Sequence, residues 1–290
     1  METRWETNIA DWSPAIDADK QSEIVLALEQ GKIIYLPQLT FQLAAAEQKF
    51  LSPRWLDGTR KNISLERGGV HGATGTAEEL GELTSMIERF ALQAEQFVRL
   101  LFPQYASAMY LARTSFRPAA VENRAISWRK DDSRLHVDAF PSRPNYGERI
   151  LRVFSNVNPH GEPRTWRAGE PFKSAAQRYL PSIKRPLPGS AGLLAALGIT
   201  KSRRSEYDHI MLHLHDALKA DMDYQRSAPQ QQLALAAGST WICFTDQVLH
   251  AAMGGQYLLE QTLHLPVDAQ YHPELSPLRT LEHLRGRALI

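Results

Sequence analysis

His136-Val137-Asp138 sets an imidazole and a carboxylate two positions apart. In an extended chain, residues i and i+2 point to the same side, so these two groups would converge. A second imidazole could come from residues 238–250, which read as a strand, a short turn and then His250. Two histidines and one carboxylate on one face of a ferrous ion leave the opposite face open, as oxygen-activating iron chemistry requires. The triplet alone is a weak signal in a chain with ten histidines. Its plain alternative is a strand end whose polar groups pair with neighbouring loops.

Other reactive patterns fail on their own terms. His209 and His213 have the i, i+4 spacing of a zinc pair, but Ile210 stands where a metalloprotease carries its glutamate base, so they read as partly exposed helix histidines. The chain has no G-x-S-x-G elbow, P-loop or dinucleotide fingerprint. Cys243, the one cysteine, lies in an apolar run and reads as core; alone it can build neither a disulfide nor a thiolate zinc cage.

The elements that must hold these groups can be sketched from periodicity. Residues 17–30 predict a short helix that Gly31 ends, and residues 33–37 a strand closed by proline. Leu80, Leu83, Ile87, Phe90, Ala94, Phe97, Val98 and Leu101 recur at helical spacing within 77–101, which predicts a helix with one apolar face. Strands are expected at 109–116, 134–137, 149–156, 239–244 and 257–265. Tyr207, Ile210, Leu214 and Leu218 mark a helical insertion within about 177–232. Strands on both sides of an insertion suggest a β-sandwich with an excursion. We expect one domain over 1–290, mostly helical to about 105 and a jelly-roll core over about 106–270. A split near 159–169 would separate the candidate residues, which argues against it.

Composition bounds the partners. The 290 residues are 43% hydrophobic and 22% charged, a globular mix. Thirty-three basic against 32 acidic residues give no overall bias towards nucleic acid or a membrane. One cysteine fits a reducing compartment. Residues 1–7 lack a secretory pattern, and the longest apolar run, around 191–198, falls far short of the roughly 20 residues that span a bilayer. The expectation is a cytoplasmic protein; no heptad seam gives an oligomeric state.

The His-x-Asp pair with a distal strand-turn-His resembles the Fe(II)/2-oxoglutarate-dependent dioxygenases. The resemblance implies a double-stranded β-helix (jelly-roll or cupin-like) α+β fold, with His136, Asp138 and His250 as iron ligands. It also implies a cation for the far carboxylate of 2-oxoglutarate, best met by the two-pronged guanidinium of arginine. Many members carry this arginine about a dozen residues after the distal histidine, where this chain has Glu260, Gln261 and Thr262. Another branch places it on the strand after His-x-Asp, where Arg149 and Arg152 lie. Three residues apart, they face opposite ways in a strand. We take Arg149 first and keep Arg152 open.

A closer resemblance rests on residues 127–144, 149–159 and Thr165-Trp166-Arg167, which are similar to the core signature of the Kdo 3-hydroxylase family. It implies hydroxylation of 3-deoxy-D-manno-octulosonic acid (Kdo) at C3 in Kdo-lipid A, a lipopolysaccharide precursor, giving Ko with release of succinate and CO2. Fe(II), 2-oxoglutarate and O2 would be needed, with ascorbate as support, and the lipid would imply peripheral contact with the inner membrane. Such a polyanionic sugar suits the cations around the motif: Arg129, Arg134, Arg143 and Arg167, with Trp128 and Trp166 available to stack on a sugar ring. Two rivals stand beside this reading. One is a different 2-oxoglutarate oxygenase acting on another small acid, sugar or peptide; the other is a non-enzymatic jelly-roll sugar-binding protein.

Overall fold

In the computed structural model, which describes residues 2–66, 68–121 and 127–290, elements form largely where local chemistry favours them. Asp17 accepts from the Lys20 amide at 2.8 Å to start helix α1 (Ala18–Glu29), and Gly31 at φ +83° lets the chain turn out of it. Thr76 and Glu79 form a reciprocal capping box that opens α2 (Ala77–Leu101). The predicted apolar stripe of α2 is buried from Leu83 to Leu101, with Leu80 half-buried ahead of it. Trp12 meets Phe90 and Phe97 edge-on at 6.4 and 5.6 Å, which fixes the stripe against the N-terminal segment.

Eleven strands are present among the described residues: β1 (Arg4–Glu6), β2 (Ile33–Leu36), β3 (Ile63–Glu66), β4 (Gly69–His71), β5 (Tyr110–Arg117), β6 (Arg149–Asn156), β7 (Arg164–Gly169), β8 (Gln230–Leu235), β9 (Thr240–Phe244), β10 (His250–Gly254) and β11 (Leu258–Leu265). Eight make a mixed sheet in the order β1-β2-β9-β6-β11-β5-β3-β4, and three make an antiparallel sheet in the order β10-β7-β8. The remaining helices are α3 (Phe172–Tyr179), α4 (Ser190–Ala196), α5 (Glu206–Ala220), α6 (Met222–Ser227) and α7 (Pro277–Arg285).

Strand periodicity sorts the side chains into layers. On β6 and β9, Leu151, Val153, Ile242 and Phe244 face the α1/α2 core, while Phe154, Trp241 and Cys243 face Trp166, Ala168, Leu233 and Leu235 of the small sheet. The two sheets therefore pack face to face, and the site lies at one end of the space between them. A third core joins α3, α5 and α7 to Leu135, Val137, Leu249 and Ala251, the neighbours of the candidate ligands. No helix among the described residues is long and apolar enough to cross a membrane.

Among the first 105 residues, α1 and α2 stand beside four short strands, β1 to β4, that pair into the large sheet, and the 159–169 segment holds β7, the central strand of the small sheet. One expectation needs correction. Residues 134–137 do not form a strand: His136 makes a single antiparallel bridge to His250. The Gln225 side chain replaces a strand partner there, accepting from Leu135 N at 2.7 Å and donating to Leu135 O at 3.0 Å. A buried backbone needs hydrogen bonds but not from a ladder.

Candidate metal centre

The bridge brings His136 and His250 together. Each backbone N–H donates to the other's carbonyl, at 3.0 and 2.9 Å, and the imidazole centroids lie 4.6 Å apart. Asp138 is held by its amide, which donates to Thr245 O at 2.8 Å. One potential ligand atom from each of His136, Asp138 and His250 lies within 4.8 Å of the others. A first-row metal bonds such atoms at about 2.0–2.2 Å, so a small inward shift would close all three on one ion.

Backbone hydrogen bonds select the right imidazole tautomer. His136 Nδ1 is 2.7 Å from Arg134 O, and His250 Nδ1 is 2.8 Å from Val248 O. A carbonyl only accepts, so each Nδ1 carries the proton and each Nε2 keeps its lone pair. Burial, then the neighbouring His250 and Lys219, holds His136 neutral, well below the usual histidine range. His250 is also lowered, chiefly by burial. Burial opposes ionisation of Asp138, yet the Arg152 guanidinium prevails and holds its carboxyl well below the usual range. Two neutral imidazoles and one carboxylate are the donor set that a divalent metal needs.

A line of paired charge runs from the triad across β6, β11 and β5. Arg152 contacts Asp138 Oδ2 at 3.0 Å and Glu260 Oε1 at 2.9 Å, and Glu260 Oε2 accepts from Arg117 at 2.5 Å. Arg152 Nε and Arg117 Nε are buried donors without an acceptor, and Asp138 Oδ2 accepts no well-formed hydrogen bond. Unsatisfied donors beside a metal-competent triad suit an incoming carboxylate.

Of the two arginines expected on β6, Arg152 borders the triad and Arg149 does not. Arg149 is fully buried on the opposite face of β6, donating to Asp246 Oδ2 at 2.8 Å and Gln247 Oε1 at 2.6 Å, with its guanidinium over Phe244 at 3.7 Å. The one-in-two alternation that buries Leu151 and Val153 in the helical core takes Arg149 with them and leaves Arg152 facing the triad.

The expected sugar-binding residues divide. Trp166 is 3% exposed and stacks on His250 at 5.2 Å, so its ring orients the imidazole and has no free face for a sugar. Arg134 is spent on Asp131 and Lys219 O, and Arg167 on Ser133 O, Gln225 O and Gln230. Both arginines brace the loop that carries His136. Arg129 covers Trp128 at 4.1 Å and bonds Asp216 at 2.9 Å, at the surface beside α5. Arg143 is exposed and lines a small cavity with Asp138, Phe140 and Tyr207.

Sequence reasoning passed over several neighbours. His215 meets the His136 ring edge-on at 5.4 Å, and Lys219 is buried with its ammonium 3.8 Å from Asp132. Both lie on α5, where helical period had pointed only to core and solvent. His209, dismissed with its pair, bonds Lys184 O at 3.0 Å, away from the triad. Arg117 closes β5, one residue past the expected strand, and nothing local distinguished it.

The family model for 3-deoxy-D-manno-oct-2-ulosonic acid (Kdo) hydroxylase matches residues 11–288. A solved structure of the Kdo hydroxylase KdoO, described as a non-heme Fe(II) alphaketoglutarate dependent dioxygenase, in complex with cobalt(II), is 48% identical. It superposes with a TM-score of 0.96 over 99% of this chain and 97% of that one. The same enzyme with alphaketoglutarate and Fe(III) gives 48% identity and 0.94 over the same shares. With succinate and Fe(III) it gives 47% and 0.95, again over 99% and 97%. Among curated proteins there is no match.

Proposed function

We propose that this chain, which belongs to the Kdo hydroxylase family, is an Fe(II)/2-oxoglutarate-dependent dioxygenase that hydroxylates C3 of Kdo in Kdo-lipid A. The observation that carries the reading is the convergence of His136, Asp138 and His250, with both Nδ1 atoms occupied and both Nε2 atoms free. These three would hold the iron. When bound, it supplies the oxygen activation that couples 2-oxoglutarate decarboxylation to C–H hydroxylation, with succinate and CO2 released.

The chain's own residues orient and exclude. Arg152 is assigned the far carboxylate of 2-oxoglutarate: it faces the triad and has an unsatisfied Nε, whereas Arg149 is occupied elsewhere. Trp166 and the Val248 carbonyl keep His250 in register, and Gln225 pins the backbone before His136. Holding the target C–H in one orientation is the protein's share of the rate. Trp128, Arg129 and Arg143, at the surface, are assigned to the anionic sugar and lipid A phosphates.

The finer architecture follows the same reading. Two sheets facing across Phe154, Trp166 and Trp241 support a double-stranded β-helix, and the pairing of β2 with β9 supports one domain over the chain. We place the enzyme in the cytoplasm with peripheral contact at the inner membrane, where a lipid-linked sugar would be met.

Mass spectrometry of Kdo-lipid A incubated with protein, Fe(II), ascorbate and 2-oxoglutarate tests the proposal. One added oxygen on Kdo is expected. Succinate release with unmodified Kdo would transfer the activity to a different acceptor.

A further inference from the structure

α4 buries none of its residues, alone among the α-helices of the described residues. It lies in a largely exposed tip, residues 184–204, that is unusually apolar for its exposure. Leu187, Leu193, Leu197 and Ile199 are 78%, 61%, 64% and 54% exposed, four of the six most exposed large hydrophobic side chains among the described residues. A Cβ built on Gly189, Gly192 or Gly198 would meet nothing within 4 Å, so these positions face open space. Isolated surface leucines are ordinary, but a cluster of this kind marks an interaction surface.

Charge narrows the partner. Lys184 and Arg185 precede the apolar stretch, Lys201, Arg203 and Arg204 follow it, and no Asp or Glu occurs between 184 and 205. This local bias is hidden in a chain whose basic and acidic totals nearly cancel at 33 and 32. An apolar tip collared by cations suits a bilayer surface bearing anionic headgroups: the leucines enter the acyl boundary and the cations stay at the phosphates. A water-facing protein partner would not require this one-sided charge.

The tip is tied to the site. Lys201 N donates to Ser142 O at 2.8 Å, Arg204 donates to Pro141 O, and Tyr146 bonds Arg203 O. Pro141 and Ser142 belong to the loop that leaves Asp138. We infer that residues 184–204 are a membrane-docking element that seats the enzyme on an anionic bilayer with the loop that leaves Asp138 next to the lipid surface. The choice of lipid as partner rests on the hydroxylase reading above, in which the acceptor is lipid-linked.

Flotation of the full chain with phosphatidylcholine vesicles, with and without phosphatidylglycerol, tests it. Wild type binds the anionic vesicles, more weakly as salt rises. Leu193→Glu/Leu197→Glu lowers partitioning by more than about tenfold, and Lys201→Glu and Arg203→Glu by roughly fivefold or more each. Circular dichroism is unchanged in all, since these side chains are exposed. The variants turn over a water-soluble Kdo oligosaccharide like wild type and lose turnover only of vesicle-embedded Kdo-lipid A. Equal flotation of wild type and the leucine variant overturns the inference. So does lipid-free dimerisation that the same variant abolishes, which would make the tip a contact between copies. If flotation follows the expected pattern but no Kdo acceptor is turned over, the docking element stands and the hydroxylase reading falls.

Discussion

Arg152 Nη2 lies 3.0 Å from Asp138 Oδ2, so one guanidinium borders the metal triad while its second nitrogen holds Glu260 at 2.9 Å. Burying two carboxylates this close together is tolerable because Arg152, with Arg117 beyond, offsets their repulsion. Glu260 keeps its carboxyl ionised against burial because Arg117 and Arg152 flank it. The same geometry leaves Arg152 Nε open to another acceptor.

Arg149 and Arg152 therefore give different defects. Arg152→Gln is expected to raise the KM for 2-oxoglutarate by at least about tenfold, the loss of one charge-assisted contact. Arg149→Gln leaves Asp246 buried without its cation and should cost about 3–5 kcal/mol of stability, with the KM near wild type. Kinetics and urea unfolding on both variants check this. A KM defect confined to Arg149→Gln would reverse the assignment.

The metal prediction is direct. His136→Ala, Asp138→Ala and His250→Ala should each lose Co(II) binding, followed by absorption, and reduce succinate release to background. Far-ultraviolet circular dichroism should be retained, because the cores on either side are extensive. Full turnover in any of the three would remove that residue from the site.

Gln225 provides a subtler test. Its buried amide bonds both polar groups of Leu135 and also Leu218 O. Gln225→Leu keeps the bulk but strands those groups, at about 1–3 kcal/mol. Because the His136 backbone then loosens, Co(II) affinity should fall roughly tenfold or more. Loss of stability with unchanged metal affinity would show that the pin serves folding alone.

Acid should weaken the metal-free protein through its histidines. Burial lowers His136, His250, His215 and His264 below the ordinary value. The unfolded chain takes up protons on these groups near pH 6.5, before the folded chain does. Their contribution is thus fully present above about pH 6.5 and is lost as pH falls towards the depressed values. The urea midpoint of chelator-treated protein should be lower at pH 5.5 than at pH 7.5. An unchanged midpoint would contradict the burial argument.

Much of this molecule is written locally. The apolar stripe of α2 and the bounds of β6 follow from short-range periodicity, which a sequence displays directly. The catalytic family was legible in the motifs around His136, over residues 127–167. Which arginine faces the triad was not, since spacing says that Arg149 and Arg152 point oppositely but not which face of β6 the helices cover. Only the packing of α1 and α2 against Leu151 and Val153 decides that. Trp166 looked like a sugar platform, but from β7 it packs against Phe154 and Trp241 of the large sheet. The bridge that sets His250 against His136 also belongs to tertiary structure, because 114 residues of chain must fold before two carbonyls and two amides can meet.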